Sequence, residues 1–109
     1  MDMAKRRLDA EELSSRLAAI ASPQRMRIIS LLVGERLHVS ELARRMGMSR
    51  ALLYMHLSKL QEAGFVSGHL ELSSDGKAMK FFEVLPFAIA VDAKTIFDAV
   101  LKSQTEREN

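Results

Sequence analysis

Two helical patterns that cannot belong to one helix dominate the chain: residues 40–64 read SELARRMGMSRALLYMHLSKLQEAG, with Gly47 between them. Ser40 is a good N-cap, Glu41 suits the first turn that follows, and Leu42, Ala43 and Met46 give a short helix one apolar side. Gly47 stops that helix, Met48 leads to Ser49 as a second N-cap, and Leu53, Leu57 and Leu60 recur at helical spacing on one face of the next. The opposite face carries Arg50, Tyr54 and Lys59. A solvent-facing row of donors, an aromatic ring and positive charge suits base edges and phosphates better than a core, and a helix pair around a tight turn can lay that row into a DNA groove. An ordinary exposed face on a helical hairpin has the same residue types, so the neighbouring segments must decide.

At 109 residues the chain predicts one domain over 1–109, with a real core but little room for a deep catalytic cleft. An apolar share of 48% supports folding, no apolar run nears the roughly 18 residues that span a bilayer, and MDMAKRRLDAEE shows no secretory apolar region. These features predict a cytoplasmic protein with no membrane partner. The absence of cysteine excludes disulfides and thiolate metal sites. The net charge of +2 is small but unevenly spread: between Ser22 and His69 seven basic residues (Arg25, Arg27, Arg36, Arg44, Arg45, Arg50, Lys59) face three acids, whereas 1–21 balances to zero and 70–85 and 86–109 each come to −1. Positive charge therefore collects around the helix pair, which is what a nucleic-acid partner requires.

Upstream, Leu8, Asp9, Glu12 and Leu13 read as a hydrophobic staple around a capping box, opening a helix over about 10–21 whose apolar row is Leu13, Leu17 and Ile20. Ser22-Pro23 starts a second helix, carrying Met26, Ile29 and Leu32 to a stop at Gly34. Leu37 to Val39 is a short bridge with room for one strand-like pairing. Downstream the period changes to two: Phe65 to Ser73 and Met79 to Leu85 read as strands joined at Asp75-Gly76, a hairpin with Lys77 at its tip and Lys80 nearby. A hairpin directly after a groove-entering helix is a wing that can touch phosphate or the minor groove; a merely soluble hairpin end has the same sequence. Phe87, Ile89 and Val91 alternate once more before Asp92 caps a last helix over about 92–104, with TEREN expected to fray. Its stripe of Ala93, Ile96, Phe97, Val100 and Leu101 can dock on the domain's own core; with Leu13 and Leu17 of the first helix it is better read as a dimer interface, because symmetric DNA readers are commonly two-fold.

With these residues in view, the chain resembles winged helix-turn-helix regulators of the arsenic-repressor (ArsR) type over about residues 10–103. SPQRMRIISLL is similar to the family's Pro-opened second helix, and LHVSELARRMGMSRALLYMHLSKLQEAGFV to its helix-turn-helix with the Leu-Gln-Glu-Ala-Gly exit. The resemblance implies a mainly α fold with a β-hairpin and an additional C-terminal helix. The helix-turn-helix falls at about 40–63, the wing at about 65–85 and the dimerisation helix at about 92–104. It also implies a homodimer on an inverted-repeat double-stranded DNA operator, with Ser49, Arg50, Ala51, Tyr54 and Met55 on the groove side and Lys77 on the wing; His56 matches a position near DNA. Where many metal-sensing relatives carry two cysteines flanking a Val, this chain has His38-Val39-Ser40, and its last helix has no histidine. A zinc site needs three or four converging ligands, so His38, His56 and His69, set on three different elements, predict no metal site and no cofactor. Met55 stands where relatives often carry a polar or basic residue.

The function these features favour is a dimeric, sequence-specific DNA-binding regulator, with repression as the implied direction. The alternative is a winged-helix module that binds protein through its hairpin or last helix, since a fold alone does not set function. No nucleophile elbow, phosphate-cradling glycine loop or metal pair accompanies the Ser, His and Asp residues, which argues against an enzyme.

Overall fold

A computed structural model describes residues 7–108. Residues 1–6, part of the segment read as lacking a leader, and Asn109 of the expected fraying tail lie outside the described residues. The element order is α1 (Ala10–Ile20), α2 (Pro23–Leu32), β1 (Leu37–His38), α3 (Val39–Met46), α4 (Arg50–Glu62), β2 (Val66–Leu72), β3 (Ala78–Val84) and α5 (Ala93–Glu108). This is the mainly α, winged helix-turn-helix architecture that the sequence predicts. No helix among the described residues is long and apolar enough to cross a membrane. The chain divides into two compact units: Ala19–Leu85, and the residues up to Ala18 together with those from Pro86 onward.

In the unit Ala19–Leu85, Ser22 caps α2 by accepting from the Arg25 amide, and Pro23 begins the helix, where a missing N–H costs nothing. The buried side of α2 is Ile28 and Leu32; Met26, expected inside, is exposed. The core gathers Ile28, Leu32, Leu42, Leu53, Leu57, Leu60, Phe65, Val66 and Phe82, all essentially without solvent contact. Burying each such side chain stabilises the fold by about 1.5–3 kcal/mol before entropy is counted.

The bridge at 37–39 does more than expected. β1 pairs antiparallel with β3 (Leu37↔Phe82, His38↔Phe81), so the sheet has three strands in the order β1-β3-β2, and the return strand of the wing is its centre. β2 and β3 run in register from Val66↔Val84 to Leu72↔Ala78. The wing tip is a three-residue loop, Ser74-Asp75-Gly76, rather than a two-residue Asp-Gly turn. The Ser73 amide donates to the Lys77 carbonyl (2.8 Å), and the Gly76 amide to the Ser73 carbonyl (2.9 Å). Gly76 takes the left-handed conformation (φ 83°) that this loop type needs. At Gly68 a side chain is excluded by packing: a Cβ would lie 2.6 Å from Phe82 Cε1.

In the other unit, Asp9 and Glu12 form the expected capping box, the Glu12 amide donating to Asp9 Oδ1 (2.8 Å). Asp92 caps α5 reciprocally with Thr95, at 2.7 and 2.8 Å. Residues 87–91 form no strand, although their apolar positions alternate. α5 is helical to Glu108, past the end at about 104 that the sequence reading gives it. Partners in and just before the first turn of α1 meet the last turns of α5, since Arg107 pairs with Glu11, Ser103 Oγ donates to Glu11 (2.7 Å) and Lys102 Nζ donates to the Arg7 carbonyl (2.8 Å). The Ser103 hydroxyl and the Arg107 guanidinium hold the Glu11 carboxyl below its ordinary range.

Candidate nucleic-acid interface

The helix pair forms because its boundaries are locally encoded. α3 starts earlier than predicted: its N-cap is His38, whose Nδ1 accepts from the Glu41 amide (3.4 Å), not Ser40, which lies within the helix. β1 explains the shift, since pairing with β3 holds His38 extended and leaves Val39 as the first helical residue. Gly47 ends α3 in the left-handed region (φ 65°), its amide donating back to Arg44 and Ala43. Ser49 caps α4 as predicted, accepting from the Leu52 amide (3.1 Å).

One side of α4 is core: Leu53, Leu57 and Leu60 are fully buried. His56, predicted to face DNA, is on this side, only 7% exposed, and its Nδ1 accepts from the Arg25 guanidinium (3.1 Å). The proton of the ring is therefore on Nε2. Burial, then the positive charges of Arg25 and Lys59, push the His56 pKa below its ordinary value and hold the ring neutral. His56 is a packing residue that fixes α4 to α2, and it leaves the exposed set. That set is Arg50, Ala51, Leu52, Tyr54, Met55, Ser58, Lys59, Gln61 and Glu62.

Most arginines of the basic stretch have partners within the chain. On α3, Arg44 and Arg45 both pair with Glu41, at 3.0 Å and 2.9 Å for their Nε atoms, and Arg45 also pairs with Glu35 (2.7 Å). The two guanidiniums hold the Glu41 carboxyl down at about 2. Arg27 donates to the Arg45 carbonyl (3.0 Å). Arg25 is bound to His56 and to the Ala19 carbonyl (2.6 Å). Arg36 lies 4.4 Å over the Phe81 ring, pairs with Glu71 and meets His69 at 3.3 Å. The side chains of Arg50, Lys59 and Lys77 make no hydrogen bond or ion pair among the described residues.

α4 and the wing enclose an open groove of about 700 Å³ lined by Arg50, Tyr54, Lys77 and Lys80, with His38 and Ser40 at one side. Tyr54 stands edge-on to Phe82 (6.4 Å), and Lys80 Nζ lies 5.8 Å over the same ring. Phe82 thus links the exposed helix to the wing, and Gly68 makes the space for it. Sequence reasoning missed this platform and the Arg25–His56 bond, because residues 28 and 31 positions apart leave no periodic trace. His38 and His69 both pack on the Phe81 ring (5.8 and 6.3 Å), and His69 also bonds Glu71 (2.7 Å), while His56 lies apart against Arg25. Among the described residues no three metal-binding side chains converge.

Of the residues predicted at a dimer interface, Leu13 is buried within the chain itself. Leu17, Ile96 and Val100 line a small apolar groove of about 230 Å³ between α1 and α5. Ile96 (47%), Phe97 (66%), Val100 and Leu101 are exposed.

Residues 22–68 match the model of the bacterial regulatory protein arsR family. The nodulation protein NolR of Rhizobium meliloti is 42% identical over 59 residues, 54% of this chain and 48% of NolR, so the match spans about half the length of that relative. An uncharacterized HTH-type transcriptional regulator of Methanocaldococcus jannaschii is 30% identical over 78 residues, 72% of this chain and 81% of the relative. In fold, the chain superimposes at a TM-score of 0.60 and 16% identity on the homodimeric winged helix-turn-helix DNA-binding domain (fragment 1-100) of a possible ArsR-family regulator from Mycobacterium bovis, covering 90% of this chain and 80% of that one. The chain belongs to the ArsR family, a family of DNA-binding transcriptional regulators.

Proposed function

We propose that the chain acts as a single domain, a cytoplasmic, homodimeric, sequence-specific repressor that binds an inverted-repeat operator, without catalysis, metal or cofactor. α4 enters the major groove: Ser49 and Arg50 lead, Arg50 makes a bidentate contact to guanine, and Ala51, Tyr54 and Met55 face the bases. Lys59, Lys77 and Lys80 meet phosphates on either side. The observation that carries this reading is the sorting of cations: Arg25, Arg27, Arg36, Arg44 and Arg45 have internal partners, while the uncommitted Arg50, Lys59 and Lys77 border the exposed side of α4. The exposed Ile96, Phe97, Val100 and Leu101, with Leu17, form the second contact surface, and the homodimeric relative supports its use between two copies.

Selection from random duplex DNA tests the reading. An enriched inverted repeat is expected, whose affinity falls roughly a thousandfold or more between about 50 and 200 mM salt if a dimer makes about 6–10 phosphate contacts. No enrichment, or salt-independent binding, sinks it. Ile96→Asp is expected to give a folded monomer by sedimentation with greatly weakened operator binding; a wild-type chain that is monomeric at micromolar concentration refutes the dimer. Leu70 and Leu72, strongly exposed on the wing, favour a second reading in which the wing docks a protein. Retained operator binding after Leu70→Ser with Leu72→Ser separates the two roles.

A further inference from the structure

Over its first two turns the exposed side of α4 has an apolar centre. Opposite the buried Leu53, Leu57 and Leu60 stand Ala51, Met55 and Ser58, flanked by Leu52; Leu52 is 42% and Met55 49% exposed. Arg50 and Tyr54 lie to one side of this ridge, on the groove shared with the wing, and Lys59 lies to the other. Reading guanine, cytosine or adenine by their hydrogen-bonding edges takes Arg, Lys, Asn, Gln, a carboxylate or a Ser or Thr hydroxyl on the helix face. Here the side chains that project farthest from the core before Ser58 carry only methyl, methylene and thioether groups.

An apolar ridge alone suits many partners, but this one is flanked by cations. Lys59 lies on one side and Arg50 on the other, where Lys77 and Lys80 line the same groove, and α4 has no acid before Glu62. A protein's apolar surface would leave those charges facing nothing, whereas the floor of a major groove between two phosphate backbones supplies both counterparts. The apolar group on that floor is the thymine C5-methyl.

Resting on the reading of α4 as the groove-entering helix, we propose that Met55, with Ala51 and Leu52, makes the chain specific for thymine methyl groups in each half-site, next to the position read by Arg50. Sequence discrimination at those positions then comes from methyl burial rather than from hydrogen bonds.

The test is to replace each thymine of the selected operator, one at a time, with deoxyuridine, which removes the methyl and leaves every hydrogen bond of the base pair. At one or two positions per half-site the affinity of the full-length protein should fall about fourfold per methyl, the effect of burying one such group. Met55→Ala and Leu52→Ala should each abolish the difference between thymine and deoxyuridine at one of those positions, while the folded content stays unchanged. A methyl effect that persists unaltered in both variants reports DNA shape and overturns the proposal. So does a selected operator bound equally well with thymine or deoxyuridine throughout, an outcome that leaves the DNA-reading function intact. Absence of any selected duplex, with Met55→Ala instead weakening a protein complex, overturns both.

Discussion

α3 and α4 are neighbours with opposite uses of charge. α3 carries two adjacent arginines, but Glu41 and Glu35 take both, and the resulting network closes on α2 through Arg27. α4 carries Arg50 and Lys59 with no such partner, and its interior polar group, His56, is kept neutral by burial. The richer run of arginine therefore lies on the scaffold, and the sparser one on the surface proposed to meet DNA. Local density of basic residues is a poor guide to a nucleic-acid face until each cation's partner is known.

The largest expected effects test that division directly. Arg50→Ala should cost about 1–3 kcal/mol on the selected operator and relax preference at one symmetric position, with much less loss on random DNA. Lys59→Ala combined with Lys77→Ala should instead weaken all sequences alike and lower the salt slope by about one per phosphate contact removed. Arg44→Gln with Arg45→Gln should lower the unfolding midpoint and leave the slope nearly unchanged. Filter binding across a salt series reads all three, and an equal fall in slope for the α3 pair breaks the comparison.

The two caps give a smaller contrast. Ser49→Ala should destabilise the fold by about 1 kcal/mol. His38→Ala should cost less, because its bond to the helix amide is longer (3.4 Å against 3.1 Å) and β1 pairing also holds the chain there. Urea unfolding at one pH compares them, and a larger loss for His38 would give α3 the tighter start.

The pH responses should be the smallest and should differ in window. His56 has a folded pKa below its unfolded value of about 6.5, so the unfolded chain binds the proton more readily. The stability this gives is complete above about 6.5 and is lost as pH falls through the folded value. Protonation removes the acceptor for Arg25 and sets two cations together. His56→Gln should flatten the stability profile below about pH 6.5. Glu41, depressed from 4.5 to about 2, contributes above 4.5 and is lost only as pH falls toward 2. Because its network is exposed, that loss should fade in high salt. Denaturant midpoints measured at stepped pH values separate the two windows; an unaltered profile in His56→Gln means the buried imidazole is not the acid-sensitive group.

What could be read without coordinates was local. Ser22-Pro23, Ser49 and Asp92 mark helix starts because a short side chain bonds an amide two or three residues ahead, and Gly47 ends α3 because the turn needs a positive φ. Leu53, Leu57 and Leu60 show the buried side of α4 by period alone, and the change to period two announces the wing. Periodicity says which side is apolar and is silent about contacts distant in sequence. Only the tertiary structure could therefore pair Leu37-His38 with β3 and so move the α3 cap from Ser40 to His38. The same holds for His56, whose burial against Arg25 removes it from the exposed face, and for five arginines engaged by partners on other turns and elements. Helix starts and stops depend on atoms a few bonds away. The availability of a charge or a ring to a partner depends on what the folded chain has already placed beside it.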